Sequence, residues 1–296
     1  MHVVVTGSSG LVGTPLVKKL AANGHQVTRL VRRTPRPGEA RWNPDNATIE
    51  TAALQRVDAV VHLAGASIAG RRWTEEYKRT LLDSRLRGTD LIATTIAALP
   101  EKPSVMLSAS AIGFYGMCGD EQLDETSPAG DGFLADLCVQ WEAATAPADQ
   151  AGIRVVKVRS GIVLSGQGGA LKKQLPLYRF GLGGRIGSGR QWQSWISIDD
   201  EVDAIIHLIG SSISGPVNLT APNPVRQRDF AKALGRALHR PAVLATPAFA
   251  PKLVLGSEMA TNLVVTGQRV QPTALLDDGY EFAYPTLEPT LAHVLG

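Results

Sequence analysis

The stretch His2-Val3-Val4-Val5-Thr6-Gly7-Ser8-Ser9-Gly10-Leu11-Val12-Gly13 decides the fold. A β-compatible run enters a G-x-x-G-x-x-G turn, and an apolar-periodic segment through Leu16, Val17 and Leu20 follows. That order of strand, glycine turn and helix is the grammar of a dinucleotide-binding βαβ unit. Gly7 permits the tight turn, Gly10 lets the backbone approach a pyrophosphate, and Gly13 lets the helix pack closely. The helix start turns unpaired N–H groups and the positive end of its dipole toward phosphate. Gly7, Ser9, Gly10, Leu11, Val12 and Gly13 are therefore the expected cofactor cradle.

The next strand, Gln26–Val31, says which dinucleotide is expected. An NAD site of this kind places an acid about 20 residues beyond the glycines, on the ribose 2′-hydroxyl. From Gln26 to Thr34 there is no Asp or Glu, and Arg29, Arg32 and Arg33 stand there instead. A guanidinium matches a 2′-phosphate bidentately where a carboxylate would repel it. Arg32 and Arg33 thus point to NADP(H).

Composition narrows the remaining classes. The 296 residues suffice for a substantial core. The net charge of +3 is spread along the chain, which argues against nucleic acid as a partner. The two cysteines, Cys118 and Cys138, form neither a disulfide framework nor a metal-ligand spacing. They point to a reducing, cytoplasmic setting. The chain enters a strand at once, so no secretory leader is expected, and no apolar run is long enough to span a bilayer. No metal site is expected.

Strands alternate with helical patterns through the first half, which predicts a doubly wound parallel sheet. The strands are expected at Val3–Thr6, Val27–Val31, Ala59–Leu63, Val105–Ser108 and Arg154–Val158. Helices are expected at Thr14–Asn23, Thr74–Leu99 and Phe133–Gln150. The glycine-rich segment Ser165–Ser197 reads as irregular chain over a pocket. Beyond it, helices are expected at Asp199–Ile209, Gln227–Leu238, about Lys252–Thr266 and Glu288–Val294, with a late strand at Val217–Leu219. The architecture that follows is an α/β, Rossmann-type doubly wound sheet with a smaller C-terminal α/β domain. Residues 1–165 would form the cofactor domain, with a return strand or helix near 195–220. Residues 166–296 would form a partly interleaved, substrate-side domain.

Several longer motifs carry a family resemblance. TGSSGLVG (Thr6–Gly13), VDAVVHLAG (Val57–Gly65) and LSASAIGFYG (Leu107–Gly116) resemble extended short-chain dehydrogenases/reductases. RRWTEEYKRTLLDSR (Arg71–Arg85), FLADLCVQWE (Phe133–Glu142), GSGRQWQSWISIDD (Gly187–Asp200) and GQRVQP (Gly267–Pro272) narrow it to an atypical, epimerase-like branch. The resemblance spans essentially the whole chain. It implies NADP(H) binding and a distinctive C-terminal domain, and supplies no substrate. By the same likeness His62, Leu63, Ala64 and Gly65 at the end of the third strand, with Arg85, Ser108, Arg159 and Gly161, join the cofactor set. His62 on its own reads first as a packing residue.

One departure from the wider family bears on chemistry. Its members use a Tyr-x-x-x-Lys pair, with the Tyr as general acid/base, the Lys lowering its pKa, and a Ser or Thr alongside. With Glu142 as the anchor, the Tyr slot falls at Leu134 or Phe133 and the Lys slot at Cys138, and none of these can do that work. Ser110 keeps the family's hydroxyl position. Tyr115 is the nearest phenol, read either as a replacement acid or as a turn residue with its hydroxyl at the surface. Arg190, Trp192 and Trp195 combine a guanidinium with aromatic planes that suit an anionic or planar substrate; the tryptophans could equally seal the domains together. Three readings follow: an NADP(H) oxidoreductase-like protein acting on a small molecule, a non-catalytic NADP sensor, and a nucleotide-sugar-type epimerase. A homodimer is left open.

Overall fold

Val3, Val4 and Val5 are completely buried, as befits a strand covered on both faces. They belong to β1 (His2–Thr6), the centre of a sheet seen in the computed structural model, which describes residues 1–296. The other strands are β2 (Gln26–Val31), β3 (Glu39–Asn43), β4 (Thr48–Ile49), β5 (Ala59–His62), β6 (Val105–Ala111), β7 (Arg154–Ser160) and β8 (Gly215–Leu219). Their order is β8-β7-β6-β5-β1-β2-β3-β4. β1 pairs in parallel with both β2 and β5, β2 with β3, and β5 with β6; β4 runs antiparallel to β3. The order reverses between β1 and β5, the switch point at which such sheets bind ligands. The expected doubly wound sheet is thus present, with β3 and β4 as further strands at one edge.

The helices are α1 (Gly13–Ala22), α2 (Glu75–Ala97), α3 (Phe133–Ala143), α4 (Ala146–Gln150), α5 (Gly169–Arg179), α6 (Ile198–Gly210) and α7 (Gln227–Ala237). Thr74 caps α2 by accepting from the Tyr77 amide at 3.1 Å, and Glu75 and Glu76 fill its first turn. Three expectations are corrected. The single helix over Phe133–Gln150 is two, because Pro147 in the first turn of α4 has no N–H with which to carry the hydrogen-bond ladder of α3 forward. The segment 252–266 breaks at Gly256, whose φ of +89° no helix accommodates, leaving the helix Phe249–Leu255, a short turn Ser257–Ala260 and a wide turn Thr261–Val265. The irregular chain expected over 165–197 contains α5, which buries Leu171, Leu175 and Tyr178 at helical spacing.

The chain forms two compact units. The first comprises Met1–Ser110, Leu137–Arg159 and Val202–Val217; the second comprises Ala111–Asp136, Ser160–Glu201 and Asn218–Gly296. In the first, Val4, Leu30, Val60, Ile92, Ile96, Met106 and Ile153 belong to one core cluster. In the second, Leu171, Leu175, Trp195, Phe230, Leu234 and Leu291 form another. No helix is long and apolar enough to cross a membrane.

Candidate functional site

A cavity of about 770 Å³ opens in the first unit at the switch point. Its walls include Gly7, Ser9 and Gly10 from the turn after β1, Leu63, Ala64 and Gly65 after β5, and Arg32 and Arg33 after β2. Leu11, Val12 and Gly13 lead from the turn into α1 and do not line it.

Each glycine of the motif has its own reason. Gly7 has a φ of +66°, and a Cβ there would lie 2.7 Å from the Leu63 carbonyl carbon and oxygen. Gly7 therefore lets the turn press against the chain leaving β5. A Cβ on Gly13 would lie 2.2 Å from the Gly7 carbonyl oxygen, so this glycine holds α1 against the turn itself. A Cβ on Gly10 would meet only the Gly7 oxygen, at 3.1 Å, with no other neighbour within 4 Å. Structure demands Gly7 and Gly13; the space beside Gly10 is left for something else.

Thr6 ties the two strand ends together. Its hydroxyl oxygen accepts from the amides of Leu63 and Ala64 at 3.1 and 3.2 Å and lies 2.8 Å from His62 Nδ1. His62 is completely buried, edge-on to Trp42, and burial pulls its pKa down to about 4. It is a neutral packing residue at physiological pH, as its own reading suggested, and it does not line the cavity.

The two arginines after β2 are not equivalent. Arg33 donates to both carboxylate oxygens of Glu39 at 2.7 Å, and Arg29 reaches the same carboxylate at 2.8 Å. The bidentate bond from Arg33 holds the Glu39 carboxyl down to about 2. Glu39 stands on β3, outside the window in which an acid was sought, and its charge answers that of Arg33. Arg32 is exposed and has no protein partner. It is the uncommitted cation of this wall.

Other expected residues take different places. Arg159 pairs with Glu142 in two contacts, at 2.8 and 2.9 Å, with both side chains buried. Its guanidinium is thereby engaged in the core, which corrects its assignment to the cofactor set. A Cβ on Gly161 would lie 2.7 Å from the Ser194 carbonyl and 2.8 Å from Thr220, so close packing inside the second unit explains that glycine. Ser108 is buried and its hydroxyl has no partner.

Arg85 on α2 is 8% exposed, donates to the Leu81 carbonyl at 3.0 Å and stacks 4.8 Å from the Trp141 ring centroid. Its Nε is buried without a partner, and burial lowers its pKa. It flanks Gly65 of the cavity wall, where a Cβ would lie 3.5 Å from its guanidinium carbon. Cys138 is among its electrostatic neighbours.

Ser110 and Tyr115 fall in different units. Ser110 donates to Glu142 at 2.7 Å and is buried. Tyr115 is 0% exposed and donates to Asn218 at 2.7 Å. Asn218 in turn donates to the Gln271 carbonyl at 3.0 Å. Of the two readings of Tyr115, the turn residue's surface hydroxyl is instead a buried one, and the replacement acid's proton already has an acceptor.

Of the three expected substrate residues, two lie in one cluster and the third lies elsewhere. The guanidinium groups of Arg226, at 3.8 Å, and Arg269, at 4.8 Å, lie over the Trp192 ring, and its indole N–H donates to Asp120 at 3.1 Å. Arg190 is exposed beside this cluster, with its carbonyl accepting from Arg226. Trp195 is completely buried, on a short strand (Trp195–Ser197) paired with Ile162–Leu164, and packs in the second core. It cannot present a plane to a ligand, which corrects its assignment.

Strand order, glycine turn and following helix define an α/β protein of the Rossmann class. Residues 3–219 match the NAD dependent epimerase/dehydratase family, and the chain belongs to that family. Residues 246–294 match a domain of unknown function, DUF1731. The chain is 44% identical over 293 residues to an epimerase family protein of Mycobacterium leprae, covering 98% of this chain and 94% of that one. It is 38% identical over 301 residues to the epimerase family protein SDR39U1 of Bos taurus, covering all of both. The crystal structure of human SDR39U1 (isoform 2) with NADPH superposes with a TM-score of 0.92 at 36% identity, covering 99% of each chain. The family expected from the motifs is borne out.

Proposed function

We propose that this chain binds NADP(H) in the cavity of the first unit and acts as an oxidoreductase-like protein on a small substrate. The carrying observation is the unpartnered Arg32 in the wall that also holds Gly10. The open space at Gly10 suits a pyrophosphate, and Arg32 suits a 2′-phosphate. The NADPH bound by human SDR39U1 supports the same choice. When bound, the cofactor supplies hydride transfer.

The chain's own residues have narrower roles. Ser9 and Gly10 would meet phosphate, and Arg32 would discriminate NADP(H) from NAD(H). Arg85 carries from α2, beside Gly65 of the cavity wall, the buried positive charge that the Cys138 slot lacks. Ser110 holds its proton toward Glu142. A proton donor to substrate would come from water or a group carried by the substrate.

Titration calorimetry of the purified protein with NADPH and NADH tests the binding claim. NADPH is expected to bind at least about tenfold tighter, and equal affinities would sink it. A metabolite screen following NADPH absorbance tests the chemistry. One set of observations favours the non-catalytic sensor as second reading: Leu134 or Phe133 at the acid slot, Cys138 at the cation slot, and the Tyr115 hydroxyl bonded to Asn218. Tight NADPH binding with no oxidation across a broad carbonyl panel would select that reading. Interconversion of the epimers of a sugar nucleotide with no net change in NADPH absorbance would select the epimerase.

A further inference from the structure

The second unit has a cavity of its own, of about 500 Å³, and its chemistry is one-sided. Arg185, Arg228, Lys232, Arg236 and Arg240 line it, and no acid does. Three of these come from α7 at a spacing of four, so they form one stripe along the helix. The other face of α7 is fixed in the core by Phe230, Ala231 and Leu234, which holds the stripe in place. Arg185 arrives from the strand Gly184–Ile186, which pairs in parallel with Leu244–Thr246, and Arg240 from the turn after α7. The apolar stretch 241–243 completes the wall.

The positive charge is only partly answered by the protein. Arg236 pairs with Glu288 at 3.0 Å, and Arg228 lies 3.6 Å from Asp229. Arg185 donates to the Gly187 carbonyl at 2.9 Å, and Arg240 to the carbonyls of Arg179 and His239 at 3.1 and 3.2 Å. Those bonds orient the two guanidinium groups without neutralising them. Lys232 has no partner. Like charges four apart on a helix repel, and a bridging anion would remove that cost.

We propose that this cavity is a binding site for an oligophosphate, a run of two or three phosphates that is free or attached to a nucleoside. Guanidinium forks and an ammonium converging in a concavity match several phosphate groups at once, whereas one carboxylate would leave most of them unused. The volume is that of a small-ligand site. No aromatic ring lines it, so it offers no stacking platform for the bases of a nucleic-acid strand. The site is independent of the NADP(H) reading, since every residue in it belongs to the second unit.

Titration calorimetry with sodium tripolyphosphate, on the full-length protein and on a K232Q/R236Q variant, tests it. Both substituted side chains are exposed, and circular dichroism verifies the fold. The wild type is expected to bind one tripolyphosphate with an affinity that falls steeply with salt, and the variant at least about tenfold more weakly. R185Q provides an independent check from a different element and is expected to weaken binding in the same direction. Adenosine triphosphate in a parallel titration distinguishes the sources. Equal affinity identifies a site reading phosphate alone, and tighter binding one that also reads the nucleoside. No binding by the wild type, undiminished binding by both variants, or a 20-nucleotide single strand that tripolyphosphate fails to displace would each overturn the proposal.

Discussion

The Ser110 hydroxyl donates to a Glu142 carboxylate oxygen at 2.7 Å, with both groups buried. The same carboxylate takes two hydrogen bonds from Arg159. The hydroxyl in the family's catalytic position is therefore one arm of a buried ion-pair network linking β6, α3 and β7. Removing one member of a buried ion pair strands the other charge and costs about 3–5 kcal/mol, whereas deleting a neutral donor to it costs about 1–3 kcal/mol. Glu142→Gln is thus expected to destabilise the protein more than Ser110→Ala in urea unfolding. The reverse order would show that Glu142 is not the anchor of the network.

Arg32 and Arg33 are neighbours in sequence with different engagements. Arg33 is bound bidentately to Glu39, while Arg32 has no partner. Arg32→Ala should weaken NADPH binding by about 1.5–3 kcal/mol, the worth of a charge-assisted hydrogen bond, and leave NADH binding unchanged. Arg33→Ala should do much less to the cofactor preference. Calorimetry on the two variants decides it: an equal loss in both would mean that the Glu39 pair opens when cofactor binds.

The glycines separate fold from function. Gly13→Ala puts a methyl within 2.2 Å of the Gly7 carbonyl and should lower the melting temperature markedly. Gly10→Ala meets a single atom, at 3.1 Å. It should melt close to the wild type and still bind NADPH more weakly, because its methyl enters the space left for pyrophosphate. A Gly10→Ala protein with unaltered NADPH affinity would place the cofactor elsewhere.

The glycine motif, the apolar strands and the missing acid after β2 were legible in the sequence, because each is a local pattern with one structural meaning. What escaped was non-local. Glu39 lies outside the search window and meets Arg33 only because β3 pairs with β2. Trp192 and Trp195 look alike in sequence, yet one meets two arginines and the other is core, since only Trp195 lies on the strand paired with Ile162–Leu164. Tyr115 could not be placed without its partner Asn218, 103 positions later. The buried Arg159–Glu142 pair joins two elements that each look complete alone. α5 had a readable signal in Leu171, Leu175 and Tyr178, masked by the glycines around it.

Two buried titratable groups give the stability a distinctive pH dependence. Burial holds His62 down to about 4, from an ordinary value near 6.5. Between those values the unfolded chain binds a proton that the folded one refuses. Stability therefore falls as pH drops from about 6.5 to 4, by about 3 kcal/mol. Burial pushes Glu201 the other way, up to about 8 from 4.5, although Ser160 donates to it at 2.5 Å. Between 4.5 and 8 the folded protein keeps a proton that the unfolded chain has lost, so this group costs stability progressively as pH rises through that window. The two effects oppose each other where they overlap, and variants separate them. Glu201→Gln keeps the shape of the protonated acid and cannot ionise. Relative to the wild type it should be nearly neutral at pH 4.5 and more stable by several kcal/mol at pH 8. His62→Leu loses the contact with Thr6 at every pH but should flatten the decline below 6.5. Urea unfolding of the three proteins from pH 4 to 8.5 measures both slopes. A Glu201→Gln advantage that does not grow with pH would mean that Glu201 is ionised in the folded state.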